Sequence, residues 1–139
     1  MKKHAATLLI LMLAGLTELV NAQVIQPRIT AQVPFAFIAN GKTMPPGECT
    51  ISVQGDGVKS LWITCGKEKV LAIPHATESV KLNERTVLVF RQYGERYFLA
   101  SISRQGETSG YEFPVQKMES ELRAQNVTET DVVLLAPRP

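Results

Sequence analysis

The chain has 139 residues, and its 15 lysines and arginines nearly balance its 13 aspartates and glutamates. A chain of this length corresponds to a single domain of ordinary size. The small net charge argues against a nucleic-acid-binding surface, which needs a dense basic patch.

Residues 1–22 predict a cleavable export signal. A basic start precedes an apolar run over 5–16, and small side chains near Ala22 form a cleavage site. The apolar run is shorter than the about 20 residues that cross a bilayer. The alternative is an N-terminal membrane anchor. We expect cleavage between Ala22 and Gln23, and a mature chain in the periplasm or outside the cell.

The mature segment, 23–139, is predicted to be a single β-rich domain. Removal of Lys2, Lys3 and Glu18 leaves 13 basic and 12 acidic side chains in it. No later segment is long and apolar enough to cross a membrane as a helix. We expect no transmembrane segment and no nucleic-acid partner.

Alternating apolar residues predict a series of short strands, and the residues between them are typical of turns. Asn40-Gly41, Pro46-Gly47 and Gly55-Asp56-Gly57 are the clearest turn signals. We expect a loose lead-in over 23–32 and a loop or irregular edge over 75–81. The predicted strands are 33–39, 49–53, 61–65, 70–73, 87–93, 96–102 and 132–136.

The strands 87–93 and 96–102 predict a hairpin around Gly94-Glu95, with glycine at the first turn position. That register places Arg91 opposite Phe98, Val89 opposite Ala100, and Val87 opposite Ile102. The fold class that follows is mainly β: a small antiparallel sandwich or barrel-like domain with one short C-terminal helix.

The helix is predicted over 115–125, with Pro114 at its first position and Asn126 after its end. Three apolar residues recur on one face, and charged residues four apart form pairs on the other. The apolar stripe is Val115, Met118 and Leu122, and the pairs are Lys117–Glu121 and Glu119–Arg123.

Cys49 and Cys65 lie on strands that flank the Gly55-Asp56-Gly57 turn. If the hairpin is centred near Gly57, the two side chains are opposite, and a disulfide is expected in an oxidising compartment. The alternative is two buried thiols that pack as small hydrophobes.

His75 is the one histidine that remains after cleavage of the signal. With Glu78 three residues on, it could serve as a base or a ligand, but one histidine is too little for a zinc site. The other interpretation is a histidine in a loop. We expect no metal and no cofactor.

Arginines and tyrosines alternate around the predicted hairpin: Arg91, Tyr93, Arg96 and Tyr97. These residue types can bind an anion or a sugar, and they are equally typical of the exposed tip of a hairpin. They form, with His75, the set of ligand or surface residues that the sequence suggests.

Three segments together resemble a group of short exported hypothetical proteins of acidobacterial type. They are 34–41 with 46–48, 90–99, and 110–114 with 119–122. The shared motifs are turns, hairpin strands and a helix start, so the resemblance implies export and β architecture. The group often has an aromatic residue where this chain has Cys49, which makes a disulfide a local feature here. The resemblance implies no catalytic residues.

The sequence therefore predicts an exported, non-enzymatic β domain that acts as a binding or structural module. It would bind a small apolar ligand among Phe35, Phe37 and Phe90, or a protein partner along an exposed sheet edge. The alternative, from another class, is a small exported hydrolase or isomerase that uses His75.

Overall fold

A computed structural model describes residues 28–55 and 59–138. The predicted signal over 1–22, the first part of the lead-in, and Asp56-Gly57 lie outside the described residues. The elements are β1 (Arg28–Val33), β2 (Phe37–Ala39), β3 (Lys42–Met44), β4 (Gly47–Gln54), β5 (Ser60–Cys65), β6 (Glu68–Ala72), β7 (His75–Glu78), β8 (Val87–Tyr93), β9 (Arg96–Ser103), β10 (Ser109–Glu112), α1 (Lys117–Ala124) and β11 (Glu129–Leu135).

The strands form two sheets, which confirms the predicted mainly β, sandwich-like fold. The smaller sheet has the order β1-β4-β5-β6, and the larger has the order β11-β8-β9-β10-β7. All pairs on these two paths are antiparallel. The short hairpin β2–β3 joins the larger sheet through one parallel pairing, Ile38 with Phe98.

The core lies between the two sheets and follows directly from the two-residue period of the strands. In β1, β4 and β5 every second residue is buried and its neighbours face solvent. Phe37 and Phe90 fill the centre; they are 2% and 0% exposed, and their ring centroids lie 5.2 Å apart. Phe35 packs edge-on against Phe90 at 5.0 Å. The space between the sheets is therefore filled by side chains.

The β2–β3 hairpin covers the free edge of β6 and links the two sheets on that side. Lys42 pairs with Glu68 at 2.8 Å and donates to the Lys69 carbonyl at 3.1 Å. The Asn40 side-chain amide donates to the Leu71 carbonyl at 2.8 Å. The strands thus follow one another in the series β1-β4-β5-β6-β3-β2-β9-β8-β11. Within residues 28–55 and 59–138, the two ends of this series, β1 and β11, each pair on one side only.

Two predictions for the first strands are wrong. Residues 28–32 were expected in a loose lead-in, yet they belong to β1 and pair with β4. The expected strand over 33–39 is broken at 34–36, because Pro34 lacks the amide that a continuous ladder requires. The chain leaves one sheet after Val33 and enters the other at Phe37.

The long hairpin is confirmed, but its predicted register holds only near the turn. Arg91 lies opposite Phe98, as expected. A bulge between Val89 and Phe90 then shifts the pairing, so that Val89 faces Ser101 and Val87 faces Ser103 instead of Ala100 and Ile102. A bulge adds one unpaired residue to one strand, which a strictly alternating pattern does not reveal.

The segment over 75–81 forms a short edge strand, β7, and then an irregular segment. The helix is shorter than predicted: Gln116 caps it, and Pro114 precedes the cap instead of occupying the first turn. Asn126 follows the helix with a φ of +58°. The predicted final strand over 132–136 is present and begins earlier, at Glu129.

The disulfide between Cys49 and Cys65 is present. The two residues are direct partners in the β4–β5 ladder, with Cα atoms 4.3 Å apart, and both side chains are about 1% exposed. The bond closes a loop with a sequence separation of 16 residues. In the chain-entropy model such a loop stabilises the fold by about 3 kcal/mol.

Replacement of both cysteines, Cys49→Ala with Cys65→Ala, should lower the free energy of unfolding by about 3 kcal/mol, because the unfolded chain regains its loop entropy. Urea unfolding under oxidising conditions measures the change. The matched control is Thr50→Ala with Thr64→Ala, the neighbouring cross-strand pair, whose side chains face outward. Equal stability of the double-cysteine variant and the parent protein would contradict the prediction.

Candidate functional site: an open sheet edge and an arginine cleft

The residues that the sequence suggested as a ligand site do not lie together. Arg91 and Tyr93 are buried, at 8% and 2% exposure, so the surface interpretation is wrong for these two. Arg96 and Tyr97 line a separate shallow cleft beside Phe37 and Met118. The ring of Tyr97 stacks on Phe35 at 3.8 Å. Arg91 and Tyr93 therefore have a structural role, while Arg96 and Tyr97 remain near the surface.

Arg91 forms a buried ion pair with Glu119 of α1. Its Nε and Nη2 both donate to the Glu119 carboxylate, with the second contact at 3.2 Å, and Nη2 also reaches the Phe113 carbonyl at 3.3 Å. Glu119 is 0% exposed and accepts a further bond, of 2.7 Å, from the backbone amide of Gln116. Every strong acceptor position of this buried carboxylate is thereby used.

The predicted pairing of Glu119 with Arg123 is wrong. Glu119 faces the sheet and meets Arg91, while Arg123 donates to the Tyr93 hydroxyl at 3.0 Å and pairs with Glu129 at 2.9 Å. From the sequence pattern of a helix, a carboxylate is expected on the solvent-exposed side. Here a buried arginine on the facing strand provides the partner that makes its burial tolerable.

Burial on its own would lower the pKa of Arg91, but the hydrogen bond and the charge of Glu119 outweigh it and raise that pKa. Burial raises the pKa of Tyr93, which stays protonated as a result. A neutral hydroxyl can accept from Arg123 and still donate toward Glu119, which lies 3.4 Å away. Arg91 therefore stays charged and Tyr93 stays neutral over the neutral range.

His75 lies on the edge strand β7, is exposed, and is the ladder partner of Glu112. Among residues 28–55 and 59–138, no side chain hydrogen-bonds to its imidazole. In the same residues there is no group of three or more His, Cys, Asp or Glu side chains that could hold a metal. The arrangement around His75 gives no support to acid–base chemistry.

The outer face of the larger sheet carries a polar cleft of about 550 Å³. Arg91 forms part of its floor beside Val89 and Ala100, and hydroxyl and charged side chains complete it. Those side chains are Thr77, Ser101, Ser103, Tyr111, Glu112, Arg123, Glu129 and Asp131. Of its charged side chains, Arg123 and Glu129 pair with each other, and Arg91 pairs with Glu119.

The edge of β11 differs from the cleft because its backbone is open. The Ala136 amide donates to the Thr86 carbonyl of the neighbouring chain segment at 2.9 Å. In an antiparallel ladder, residues alternate between facing the partner strand and facing away from it. The amides and carbonyls of Asp131, Val133 and Leu135 therefore point to the free edge.

A second cleft, of about 440 Å³, lies where the two ends of the strand series meet. One wall comes from the start of β1, another from the segment after β11, and a third from the ends of the β8–β9 hairpin. The lining residues are Arg28, Ile29, Thr30, Thr86, Arg104, Gln105, Ala136, Pro137 and Arg138. We call this the arginine cleft, because three of its residues are arginines and none is acidic.

Neither the edge of β11 nor the arginine cleft was found by reasoning from the sequence. The first and last of the three arginines, Arg28 and Arg138, are 110 positions apart in the sequence. The residue pattern of each strand gives no sign that the three share a cleft. In the sequence, residues 132–136 form a continuous apolar run, which is typical of a buried strand and does not reveal that Val133 and Leu135 are exposed.

Comparison with protein-family models, with curated proteins and with solved structures finds no match to this chain. Within the described residues, no helix combines the length and the apolar character needed to cross a membrane.

Replacement of Glu119 by Gln should lower the free energy of unfolding by about 3 kcal/mol, because it leaves the Arg91 charge buried without its counter-charge. Urea unfolding followed by circular dichroism measures the change. The matched control is Glu121→Gln on the exposed side of the same helix, which should change stability by less than about 0.5 kcal/mol. Equal effects of the two substitutions would contradict the structural role of the ion pair.

Proposed function

We propose that this protein is an exported, non-enzymatic binding module of the periplasm or the cell exterior. Its partner is an extracytoplasmic polypeptide, and a segment of that polypeptide adds as a strand to the free edge of β11. The observation that carries the proposal is the open backbone edge of β11, a strand of seven residues with exposed apolar side chains.

Two features support export. The N-terminal sequence has the three parts of a secretory signal. The Cys49–Cys65 disulfide is a bond that persists in oxidising compartments and is rare in the cytosol. The resemblance to exported proteins of acidobacterial type points the same way and is part of this proposal.

A small apolar ligand inside the domain is the weaker alternative. The residues that would line such a cavity are Phe35, Phe37 and Phe90, and their rings contact one another in the filled core. A ligand would have to displace these contacts, which together bury a large apolar area. Binding on the outside of the domain requires no such rearrangement.

The exposed side chains of β11 fit a bound strand. Val133 and Leu135 are 57% and 56% exposed, and they lie beside Val89 and Val87 of the neighbouring strand. An added strand would place its own side chains against this apolar row while its backbone pairs with the free amides and carbonyls. Backbone pairing supplies affinity, and the apolar row supplies a preference for certain side chains.

The other described edges are less suited to pairing. On β1, the other end of the series, the exposed side chains are the polar Arg28, Thr30 and Gln32, so this edge offers no apolar row. The edge of β6 is covered by the Lys42 and Asn40 contacts of the β2–β3 hairpin. The edge strand β7 has four residues and follows a proline. Short strands and prolines are common means by which natural sheets prevent edge pairing. β11 has seven residues and contains neither proline nor lysine.

Substitution of Val133 by Pro tests the proposal. Proline removes a free-edge amide and leaves the bonds to β8 intact, so the domain should fold while binding to the partner weakens at least about tenfold. The partner is first isolated from the native host by co-purification with the mature protein. Its affinity for each variant is then measured by calorimetry.

The matched control is Val133→Thr, which keeps the amide and the β-branched shape and should bind within about threefold of the parent protein, since the loss is limited to part of one side chain. Amide hydrogen exchange gives a direct readout: the bound partner should slow the exchange of the backbone amide hydrogens of Asp131, Val133 and Leu135. Binding that is unaffected by Val133→Pro would sink the strand-addition proposal. Self-association in sedimentation that Val133→Pro abolishes would instead identify a second copy as the occupant.

A further inference from the structure

We infer that the arginine cleft is a carboxylate-binding site, which receives an acidic residue of the polypeptide that adds to β11. The inference rests on the proposed function, because it describes the partner of the same edge. It specifies the chemical character of that partner, which the open edge alone leaves undefined.

The first observation is the charge of the cleft. Arg28, Arg104 and Arg138 line it together with Thr30, Thr86 and Gln105, and none of the described residues that line it is acidic. Arg104 is held at one side by Glu107, which its Nη1 meets at 2.7 Å. A cleft lined by charge of one sign raises the local concentration of counter-ions.

The second observation is a fourth arginine directly behind the cleft. Arg85 donates through Nη2 to the carbonyl of Ala136, a cleft-lining residue, at 3.0 Å. Its Nε is buried and, within the described part of the chain, has no hydrogen-bond partner. A guanidinium with an unused buried donor therefore lies beside the cleft, in addition to the three arginines that line it.

The third observation is the position of the cleft. Ala136, Pro137 and Arg138 follow β11 without interruption, so the cleft begins where the free edge ends. A strand that pairs along Glu129–Leu135 and continues for three residues spans about ten residues and arrives in the cleft. Both features would then be used by a single extended segment.

The chemistry of arginine selects the group that binds. The guanidinium fork presents paired N–H donors that match the two oxygens of a carboxylate. A neutral amide of the same shape offers one acceptor oxygen and no charge. The cleft should therefore distinguish aspartate or glutamate from asparagine or glutamine at the end of the added strand.

The test uses synthetic ten-residue peptides of alternating valine and threonine, acetylated at the N-terminus. One set carries two aspartates at the N-terminal end, one carries them at the C-terminal end, and matched sets carry asparagines. Each is made with a free and with an amidated C-terminus, which separates side-chain from terminal carboxylates. Binding to the mature protein is measured by NMR titration, which follows the β11 amides and the arginine Nε–H signals.

The aspartate peptides are expected to bind at least about tenfold more tightly than the asparagine peptides at low salt, and this preference should shrink as ionic strength rises. The double variant Arg28→Gln with Arg138→Gln should remove the preference. The matched control is Lys67→Gln with Lys81→Gln, which removes the same amount of charge at exposed positions that do not line the cleft. This control should retain the preference for aspartate peptides.

The outcomes separate the two proposals. Equal binding of aspartate and asparagine peptides, lost in Val133→Pro, would overturn the carboxylate site and leave strand addition intact. Aspartate peptides that keep both their full affinity and their preference in Val133→Pro would support the carboxylate site and count against strand addition. If neither the aspartate peptides nor acetate shifts the Nε–H signals of Arg28, Arg104 or Arg138, the inference is wrong.

Discussion

The buried pair of Arg91 and Glu119 organises the second half of this domain. It fixes α1 across the outer face of the larger sheet, because a carboxylate with no solvent contact must keep its partner. The Arg123 contacts with Tyr93 and Glu129 then bring the chain back along β8. β11 is the last strand of the larger sheet at this side, and its first residue, Glu129, is the one that Arg123 contacts.

The disulfide has the corresponding role in the smaller sheet. It joins the inner faces of β4 and β5 at the end farthest from their connecting turn, among residues that already form the core. The two sheets are thus stabilised by different means, one by a covalent cross-link and the other by an ion pair. None of the four residues that form the disulfide and the ion pair is among those that line the arginine cleft.

The domain is best described as a series of strands with two unpaired ends. The β2–β3 hairpin closes one side through the Lys42 and Asn40 contacts, while the other side ends at β1 and β11. The arginine cleft lies between these ends. The acidic strand that we propose would pair with the edge of β11 and place its carboxylates beside the arginines of the cleft.

Much of the fold follows from the sequence, because strand alternation is a local property. The pairing of Cys49 with Cys65, the long hairpin and the final strand were all predicted from the two-residue period and the turns. The bulge at Val89, the burial of Glu119 and the meeting of Arg28, Arg104 and Arg138 were not. Each depends on which side chain or strand faces a residue across the fold. The sequence by itself determined most of the core strands, because apolar residues alternate in them, but not that residues 28–32 form a strand. Only the tertiary structure decided which edge stays open and which charges meet, because these depend on contacts between distant segments.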